Sequence, residues 1–106
     1  MIDLNDADFL AEQAKKKVLY HIFCYFDVDL EKFNQPFITE QDSGFMYESV
    51  KASLNKGTFP PEKACGLVLV YLGTFDLNSG EFDIFAKPKV MLKCDDFIKK
   101  EIKKDA

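Results

Sequence analysis

Residues 67–86, LVLVYLGTFDLNSGEFDIFA, decide the fold of this chain. The pattern predicts a strand at 67–75, a tight turn and a returning strand at 82–86. The first strand is apolar on both faces, which is typical of the middle of a sheet that is covered on two sides. The second strand alternates between apolar and acidic residues, so we expect it to flank the first. Gly80 supplies the positive φ that a short hairpin turn needs, and Gly73 predicts a bulge or a close backbone approach.

A second strand that is apolar on both faces is predicted at 18–26, VLYHIFCYF, and it should be the other central strand. Pro36 limits 37–39 to a short edge strand. Leu30, Phe33 and Phe37 are expected to hold the long irregular segment before the next helix, and the short apolar piece at 90–92 could add a further strand.

Three helices are predicted. Residues 5–16 carry the narrow, alanine-rich apolar stripe Ala7, Leu10, Ala11 and Ala14, with acidic residues in the first turn. The sequence leaves open whether this helix packs on the sheet or docks on a partner. Residues 44–55 form a helix that begins after Asp42 or Ser43 and stops at Gly57. Residues 94–104 form a helix with lysines toward its end, while 58–66 form a loop.

These elements predict one α+β domain over residues 1–106, with a sheet core at 18–86. The expected architecture is a mainly antiparallel sheet of three to five strands with two or three packed helices, 44–55 and 94–104 among them. Both apolar faces of the two central strands must be covered by other elements. Two or three helices are few for covering both faces. This favours dimerisation, through the outer hairpin strand or the N-terminal helix.

Charge narrows the range of partners. The chain has 18 acidic and 14 basic residues, a net charge of −4, and every basic residue is a lysine. Arginine is the preferred residue for bidentate contacts to phosphates and base edges, so its absence argues against a duplex-DNA reader. A weak single-strand binder remains open, because aromatic stacking and a few lysines can suffice. The eleven phenylalanines are explained most simply by a phenylalanine-rich core.

Motifs for catalysis and for metal or cofactor binding are missing from the sequence. The three cysteines form no CxxC pair, and Asp27-Val28-Asp29 lacks the glycine and glutamate of a calcium loop. The single histidine, His21, has no predicted catalytic partner and is interpreted as a hydrogen-bonded residue of the sheet. We therefore expect no catalytic residue, no metal and no cofactor. An enzyme with carboxylates assembled from distant positions stays as a minor alternative.

The sequence also predicts a soluble, intracellular protein without a membrane partner. Its first residues are acidic where a signal peptide is positively charged, and no apolar run is long enough to span a bilayer.

Several phrases, in this order, resemble a known family. They are Tyr25-Phe26-Asp27, Gln35-Pro36-Phe37-Ile38, Asp42 at a helix start, Pro61-Glu62, and Leu72-Gly73-Thr74-Phe75-Asp76 followed by Ser79-Gly80-Glu81-Phe82. Over roughly residues 18–86 the chain is similar to the small nonstructural protein of gokushovirus-type microviruses, which are phages with single-stranded DNA. The chain departs from the family at Pro60-Pro61-Glu62-Lys63, where the family has His-Pro-Glu-Asp.

The resemblance implies a phage protein made in the cytoplasm of a bacterial host and left out of the virion. It implies an accessory role, by binding, in phage DNA replication or single-stranded genome packaging. The acidic charge favours a protein partner of that machinery over single-stranded DNA, and a homodimeric structural module is the alternative. The candidate contacts to nucleic acid or a partner are Lys87, Lys89, Lys99, Lys100, Lys103 and Lys104.

Overall fold

In a computed structural model of the chain, described over residues 18–98, two long strands lie side by side at the centre of an antiparallel sheet. The strands are β1 (Leu19–Asp27), β2 (Lys32–Phe33), β3 (Phe37–Thr39), β4 (Leu67–Asp76) and β5 (Phe82–Lys93). β1 and β4 pair with each other, β5 pairs with β4, and β2 and β3 both pair with the other side of β1. The predicted α+β fold, with the two doubly apolar strands central and the hairpin arm flanking, is confirmed.

Strand pairing assigns the side chains to two faces, because residues opposite each other in an antiparallel pair share a face. On the face that we call the helix face, Phe23 pairs with Tyr71, and Leu69 pairs with both Tyr25 and Leu92. On the opposite face, which we call the outer face, the cross-strand pairs include Cys24 with Val70, Phe26 with Val68, and Val70 with Val90. The strands therefore present apolar side chains in both directions.

A helix, α1 (Ser43–Lys56), covers the helix face. Its first turn is capped by Asp42, whose Oδ1 accepts a hydrogen bond from the Phe45 backbone N–H at 2.8 Å. Gly57 ends the helix in the left-handed conformation with φ of 85°. The side chains that α1 buries share one cluster with residues of all three long strands: Phe23, Met46, Val50, Leu54, Ala64, Leu69, Leu92 and Cys94. The predicted helix at 44–55 is confirmed.

The second hairpin arm is longer than predicted. The pieces expected at 82–86 and 90–92 belong to one strand, β5, whose pairing with β4 shifts register between Leu69 and Val70 and between Tyr71 and Gly73. Pro88 lies within β5. A proline has no N–H to donate to a neighbouring strand, so it is tolerated in a strand only at the edge of a sheet or at a bulge. The irregular pairing therefore lets an interrupted sequence pattern form a continuous strand.

The predicted helix at 94–104 is not formed over its first residues. A short 3₁₀ turn, Cys94–Asp96, takes its place, and Phe97 and Ile98 follow without helical structure. The Asp95 carboxylate accepts a hydrogen bond from the Gly66 N–H at 3.0 Å, which ties this turn to the start of β4. The expected loop at 58–66 likewise contains a short helix, α2 (Pro61–Ala64). The rest of the C-terminal helix and the predicted helix at 5–16 lie outside the described residues.

The segment between β1 and α1 is held differently from the prediction. Leu30, expected to anchor it, is 66% exposed. Phe33 is also exposed, although its ring meets that of Phe26 edge-on with centroids 4.8 Å apart. Phe37 packs against the core and lies 6.0 Å from the ring of Phe23. The predicted edge strand at 37–39 is confirmed, whereas β2 was not predicted.

Candidate functional site

The outer face carries the largest apolar side chains that the described part of the chain leaves exposed along the sheet. Phe82 and Ile84 of β5 share this face with Tyr20 and Ile22 of β1, through their pairing with Phe75 and Gly73. The exposed side chains on this face and its edges are Phe33, Ile38, Phe82, Ile84 and Val90, each at least half exposed. Exposed apolar side chains that are grouped on one face indicate an interaction site more often than scattered ones do.

One end of the outer face forms an apolar groove with a volume of about 400 Å³. The groove is lined by Phe26, Val28, Phe33, Val68, Val70, Pro88, Val90 and Lys93. β4 supplies its floor, because that strand lies between β1 and β5. The ring pair of Phe26 and Phe33 forms one wall, and Pro88 and Val90 stand opposite. Lys93 is the single charged residue among those that line the groove.

The turn after β1 shapes this end of the groove. The Asp27 Oδ1 accepts hydrogen bonds from the backbone N–H groups of Asp29 and Leu30 at 3.0 and 3.1 Å, which is an Asx turn. The Val28 N–H donates to the Gly66 carbonyl at 2.9 Å. Asp27 of the discarded calcium motif therefore acts in turn formation, and the bond to the Gly66 carbonyl fixes the Val28 backbone beside the groove.

The sequence-predicted lysines do not lie in the groove. Lys87 and Lys89 are exposed on β5, and Lys89 pairs with Tyr71 on the helix face. The Lys89 Nζ lies 4.3 Å from the centroid of the Phe85 ring, which contacts the Tyr71 ring edge-on at 4.9 Å. Lys99, Lys100, Lys103 and Lys104 lie outside the described residues. The structure thus places Lys89 beside an aromatic ring, on the face of the sheet opposite the groove.

Two carboxylates, those of Asp42 and Asp83, lie near Tyr71, whose ring contacts Phe85. Burial, followed by the negative charges of Asp42 and Asp83, raises the pKa of Tyr71. Two carboxylates close enough to act on the Tyr71 hydroxyl also repel a phosphate that approaches Lys89. The ring of Phe85 is already stacked under the ammonium group and is less available to a base. The local charge is therefore unfavourable for nucleic acid.

His21 is hydrogen-bonded within the sheet, as the sequence analysis expected. Its Nδ1 lies 2.6 Å from the Tyr71 hydroxyl, on the helix face. The two rings are tilted, with centroids 5.8 Å apart. This pair fixes the orientation of both side chains beside the core and accounts for the single histidine.

Residues that could bind metal are scattered. Within residues 18–98 no group of three His, Cys, Asp or Glu side chains is placed to hold a metal ion. Cys24 and Cys94 are buried and Cys65 is exposed, all three as free thiols. Burial, with a contribution from Asp95, raises the pKa of Cys94 to about 11, so this thiol stays protonated. The part of the chain that the structure describes also contains no helix long and apolar enough to cross a membrane.

Sequence reasoning missed most of the residues that form the groove. Val28, Phe33 and Pro88 belong to stretches without clear periodicity, and only three-dimensional pairing brings them together. The available signal was general: two strands apolar on both faces, with too few helices to cover them. The chain matches no family model, no curated protein and no solved structure, so the groove is interpreted from its own geometry.

Proposed function

We propose that this protein acts by binding and not by catalysis, and that the apolar groove receives a segment of a protein partner. The observation that supports this most is the lining of the groove, which is apolar apart from Lys93. Its volume of about 400 Å³ falls within the roughly 300–1,000 Å³ of typical ligand pockets. A groove of this size accommodates one or two large apolar side chains of a partner.

The charge at the groove specifies the partner further. Lys93 pairs with Val68 on the outer face and lies at the rim of the groove. An ammonium group at the edge of an apolar surface favours an acidic residue next to the apolar anchor of the partner, because complementary charges fix orientation. The partner is therefore a protein segment with an apolar anchor and a neighbouring carboxylate.

The resemblance to gokushovirus-type nonstructural proteins supplies the setting of this proposal. In that setting the protein is a phage accessory protein in the cytoplasm of a bacterial host, outside the virion. Its partner belongs to the machinery of phage DNA replication or single-stranded genome packaging. The groove supports binding, and the setting rests on the quoted motifs alone.

Single-stranded DNA is the second candidate ligand, favoured by the exposed lysines Lys87 and Lys89 of β5. The nearby carboxylates of Asp42 and Asp83 and the net charge of −4 weigh against it. Binding of an oligonucleotide should therefore be absent even at low ionic strength. Single-stranded DNA would be supported as the ligand if an oligonucleotide binds, if that binding weakens steeply with added salt, and if it is lost in Lys89→Ala.

The first experiment measures access to the groove with the fluorescent probe 1-anilinonaphthalene-8-sulfonate. Its aromatic rings fit the apolar lining and its sulfonate can pair with Lys93. We expect fluorescence enhancement in the wild-type protein and its loss in Val90→Asp, which places a carboxylate on the groove wall. Leu30→Asp is the matched control, since Leu30 is exposed to a similar extent and does not line the groove. Equal fluorescence in all three proteins would contradict the proposal.

The second experiment identifies what occupies the groove in cells. A photo-crosslinking residue replaces Val90 in one protein and Leu30 in another, both expressed in the native host. A discrete crosslink to another protein from position 90 alone, lost when Lys93 is replaced by Glu, supports the proposed function. A crosslink to a second copy of the chain, together with a dimer in light scattering, would support the homodimeric alternative instead.

A further inference from the structure

β5 lies at one edge of the sheet, since β4 is the strand with which it pairs in the described part of the chain. Residues 82–90 of this strand are exposed apart from Phe85, which is half-buried. The pairing of β5 with β4 also skips residues 85–88, where the register shifts. A long and exposed edge strand presents backbone hydrogen-bonding groups to which another strand can add.

The backbone groups in the first half of β5 point alternately toward β4 and toward the free edge. The Glu81 carbonyl accepts a hydrogen bond from the Asp76 N–H at 2.9 Å, and the Asp83 carbonyl lies against the backbone of β4. Both carbonyls therefore face β4. Phe82 and Ile84 alternate with these residues, so their N–H and C=O groups face the free edge.

The helix face of this edge begins with two acidic residues. Asp83 pairs with Thr74 of β4, which pairs in turn with His21 on the helix face. Glu81 lines the same surface recess as Asp83 and Thr74. The two carboxylates therefore lie one after the other on the same side of the strand.

Two lysines follow on the same face. The Phe85 ring contacts the Tyr71 ring edge-on at 4.9 Å, and Lys89 pairs with Tyr71. Lys87 lies between Phe85 and Lys89 in an extended strand and alternates with Pro88 of the outer face, so its side chain belongs to the helix face. In chain order, the helix-face side chains of this edge are Glu81, Asp83, Phe85, Lys87 and Lys89. The row therefore runs from acidic to basic.

A row that runs from acidic to basic is complementary to a reversed copy of itself. Antiparallel pairing of two copies of β5 about Phe85 places Asp83 of one copy opposite Lys87 of the other. It places Glu81 opposite Lys89 in the same way. Each contact occurs twice because the two copies are related by a two-fold axis. Opposite charges that face each other across paired strands stabilise the pairing, whereas like charges destabilise it.

The outer face of the same pairing is apolar. Ile84 of one copy lies opposite Ala86 of the other, and Phe82 lies opposite Pro88. Since Phe82 and Ile84 are 61% and 57% exposed in the single chain, the contact removes apolar surface from water. Pro88 can accept a hydrogen bond through its carbonyl but has no N–H to donate, so the ladder between the two copies ends at this residue.

The lysines select the strand that can be added. Lysine and proline on an edge strand ordinarily discourage pairing with other chains. A strand with carboxylates at the matching positions neutralises the two lysines, and β5 is itself such a strand. Charge therefore favours a second copy of this chain over an unrelated apolar strand.

We propose that two copies of this protein associate through the free edges of β5, antiparallel about Phe85, and form one continuous sheet. This interface goes beyond the proposed function, since it does not depend on what occupies the apolar groove and shares only Pro88 with the groove lining. It gives Lys87 and Lys89, two of the candidate contacts from the sequence, a protein partner.

Charge reversal tests the interface in the full chain. Light scattering over a concentration series gives the dissociation constant of the dimer. Asp83→Lys and Lys87→Asp each place like charges opposite each other twice, so each variant should raise that constant by at least about tenfold. An equimolar mixture of the two variants should dimerise again. In the mixed dimer the new lysine of one copy lies opposite the new aspartate of the other, and the remaining Lys87 lies opposite the remaining Asp83.

Glu48→Lys is the matched control, because it makes the same change in net charge as Asp83→Lys at an exposed position on α1. It should leave the dissociation constant unchanged, and circular dichroism verifies the fold of every variant. The proposal is overturned if the wild type remains monomeric at the highest soluble concentration, or if the mixture of the two variants dimerises no better than each variant alone.

Photo-crosslinking separates this interface from a second copy seated in the groove. A self-crosslink from position 90 that persists in Asp83→Lys would place the second copy in the groove and would contradict pairing at the β5 edge. Loss of the dimer in Asp83→Lys, with the crosslink from position 90 to a different protein retained, would support both the edge interface and the proposed function.

Discussion

Gly73 of β4 lies against the backbone of Asp83 of β5 so closely that a Cβ atom on residue 73 would sit 2.3 Å from the Asp83 carbonyl oxygen. The same atom would lie 2.9 Å from the Cα of Ile84. Both obstacles are backbone atoms of a paired strand, which cannot turn aside as a side chain can. The glycine is therefore required by the approach of the two hairpin arms.

Gly73→Ala is accordingly expected to destabilise the fold by at least about 1–3 kcal/mol, the usual cost of forcing an atom into a filled space. Urea denaturation followed by circular dichroism measures the change. Gly44→Ala is the control: Gly44 lies in the first turn of α1, and a Cβ there meets its nearest atom at an ordinary 3.6 Å. That variant should be neutral or slightly stabilised, because alanine is the better helix former. Equal effects of both substitutions would show that the strand contact is unimportant.

The same hairpin shows how far sequence reasoning extends. The strand with apolar residues on both faces identified the centre of the sheet. Gly73 predicted a bulge or a close backbone approach, and the structure shows both at this position. These features are local, so one stretch of sequence contains their cause. The sequence could not predict that residues 82–86 and 90–92 belong to one strand. A proline such as Pro88 indicates the end of a strand unless that strand is known to lie at the edge of the sheet.

The candidate site depends on longer-range relationships. Phe33 has no strand pattern of its own and contributes to the groove because it pairs with Phe26. Val90 and Val68 meet only after β4 and β5 have paired with a shifted register. Lysines are conspicuous in sequence, so the predicted site included Lys87 and Lys89, although Lys89 lies on the helix face and neither lysine lines the groove. Charge is visible residue by residue, whereas an apolar groove arises from the pairing of distant strands.

Asp76 predicts an acid-dependent loss of stability. Its buried carboxylate accepts backbone hydrogen bonds from Asn78, Val18 and Ser79, with the bond from Asn78 at 2.9 Å. These bonds, that from Asn78 foremost, hold the pKa of Asp76 below its ordinary value of 3.8. A lowered folded-state pKa contributes stability that is present above 3.8 and is lost as the pH falls through the folded-state pKa.

Asp76→Asn should therefore be less stable than the wild type at neutral pH, and the difference should shrink as the pH falls below 3.8. Urea midpoints measured across the acid range give the comparison. Glu48→Gln, an exposed position on α1, controls for the removal of a carboxylate. A difference between wild type and Asp76→Asn that does not change with pH would contradict the proposed role of the charge.

The core under α1 predicts that Leu69 and Leu30 contribute very differently to the free energy of unfolding. Leu69 is 0% exposed between Tyr25 and Leu92, so Leu69→Ala should cost about 2–5 kcal/mol through lost burial and a residual cavity. Leu30→Ala removes the same atoms from a side chain that is 66% exposed and should change stability by less than about 0.5 kcal/mol. Thermal and urea unfolding of both variants test this. Similar losses in the two variants would contradict the burial of Leu69 in the core.

The hydrogen bond between His21 and Tyr71 predicts a measurable coupling across the two central strands. Their side chains meet at 2.6 Å, on strands whose residues are far apart in sequence. Tyr71→Phe removes the hydroxyl and leaves the ring packed on Phe23 and Phe85, so its effect reports mainly on the hydrogen bond. The expected cost is about 0.5–1.5 kcal/mol, as for a neutral hydrogen bond.

A double-mutant cycle with His21→Phe isolates the interaction from the other contacts of each side chain. The loss of stability in the double variant should be smaller than the sum of the two single losses, by an amount of the same order. The free energies come from urea denaturation of all four proteins at one fixed pH. Strict additivity would show that the two side chains contribute independently. His21 would then owe its place in β1 to packing alone.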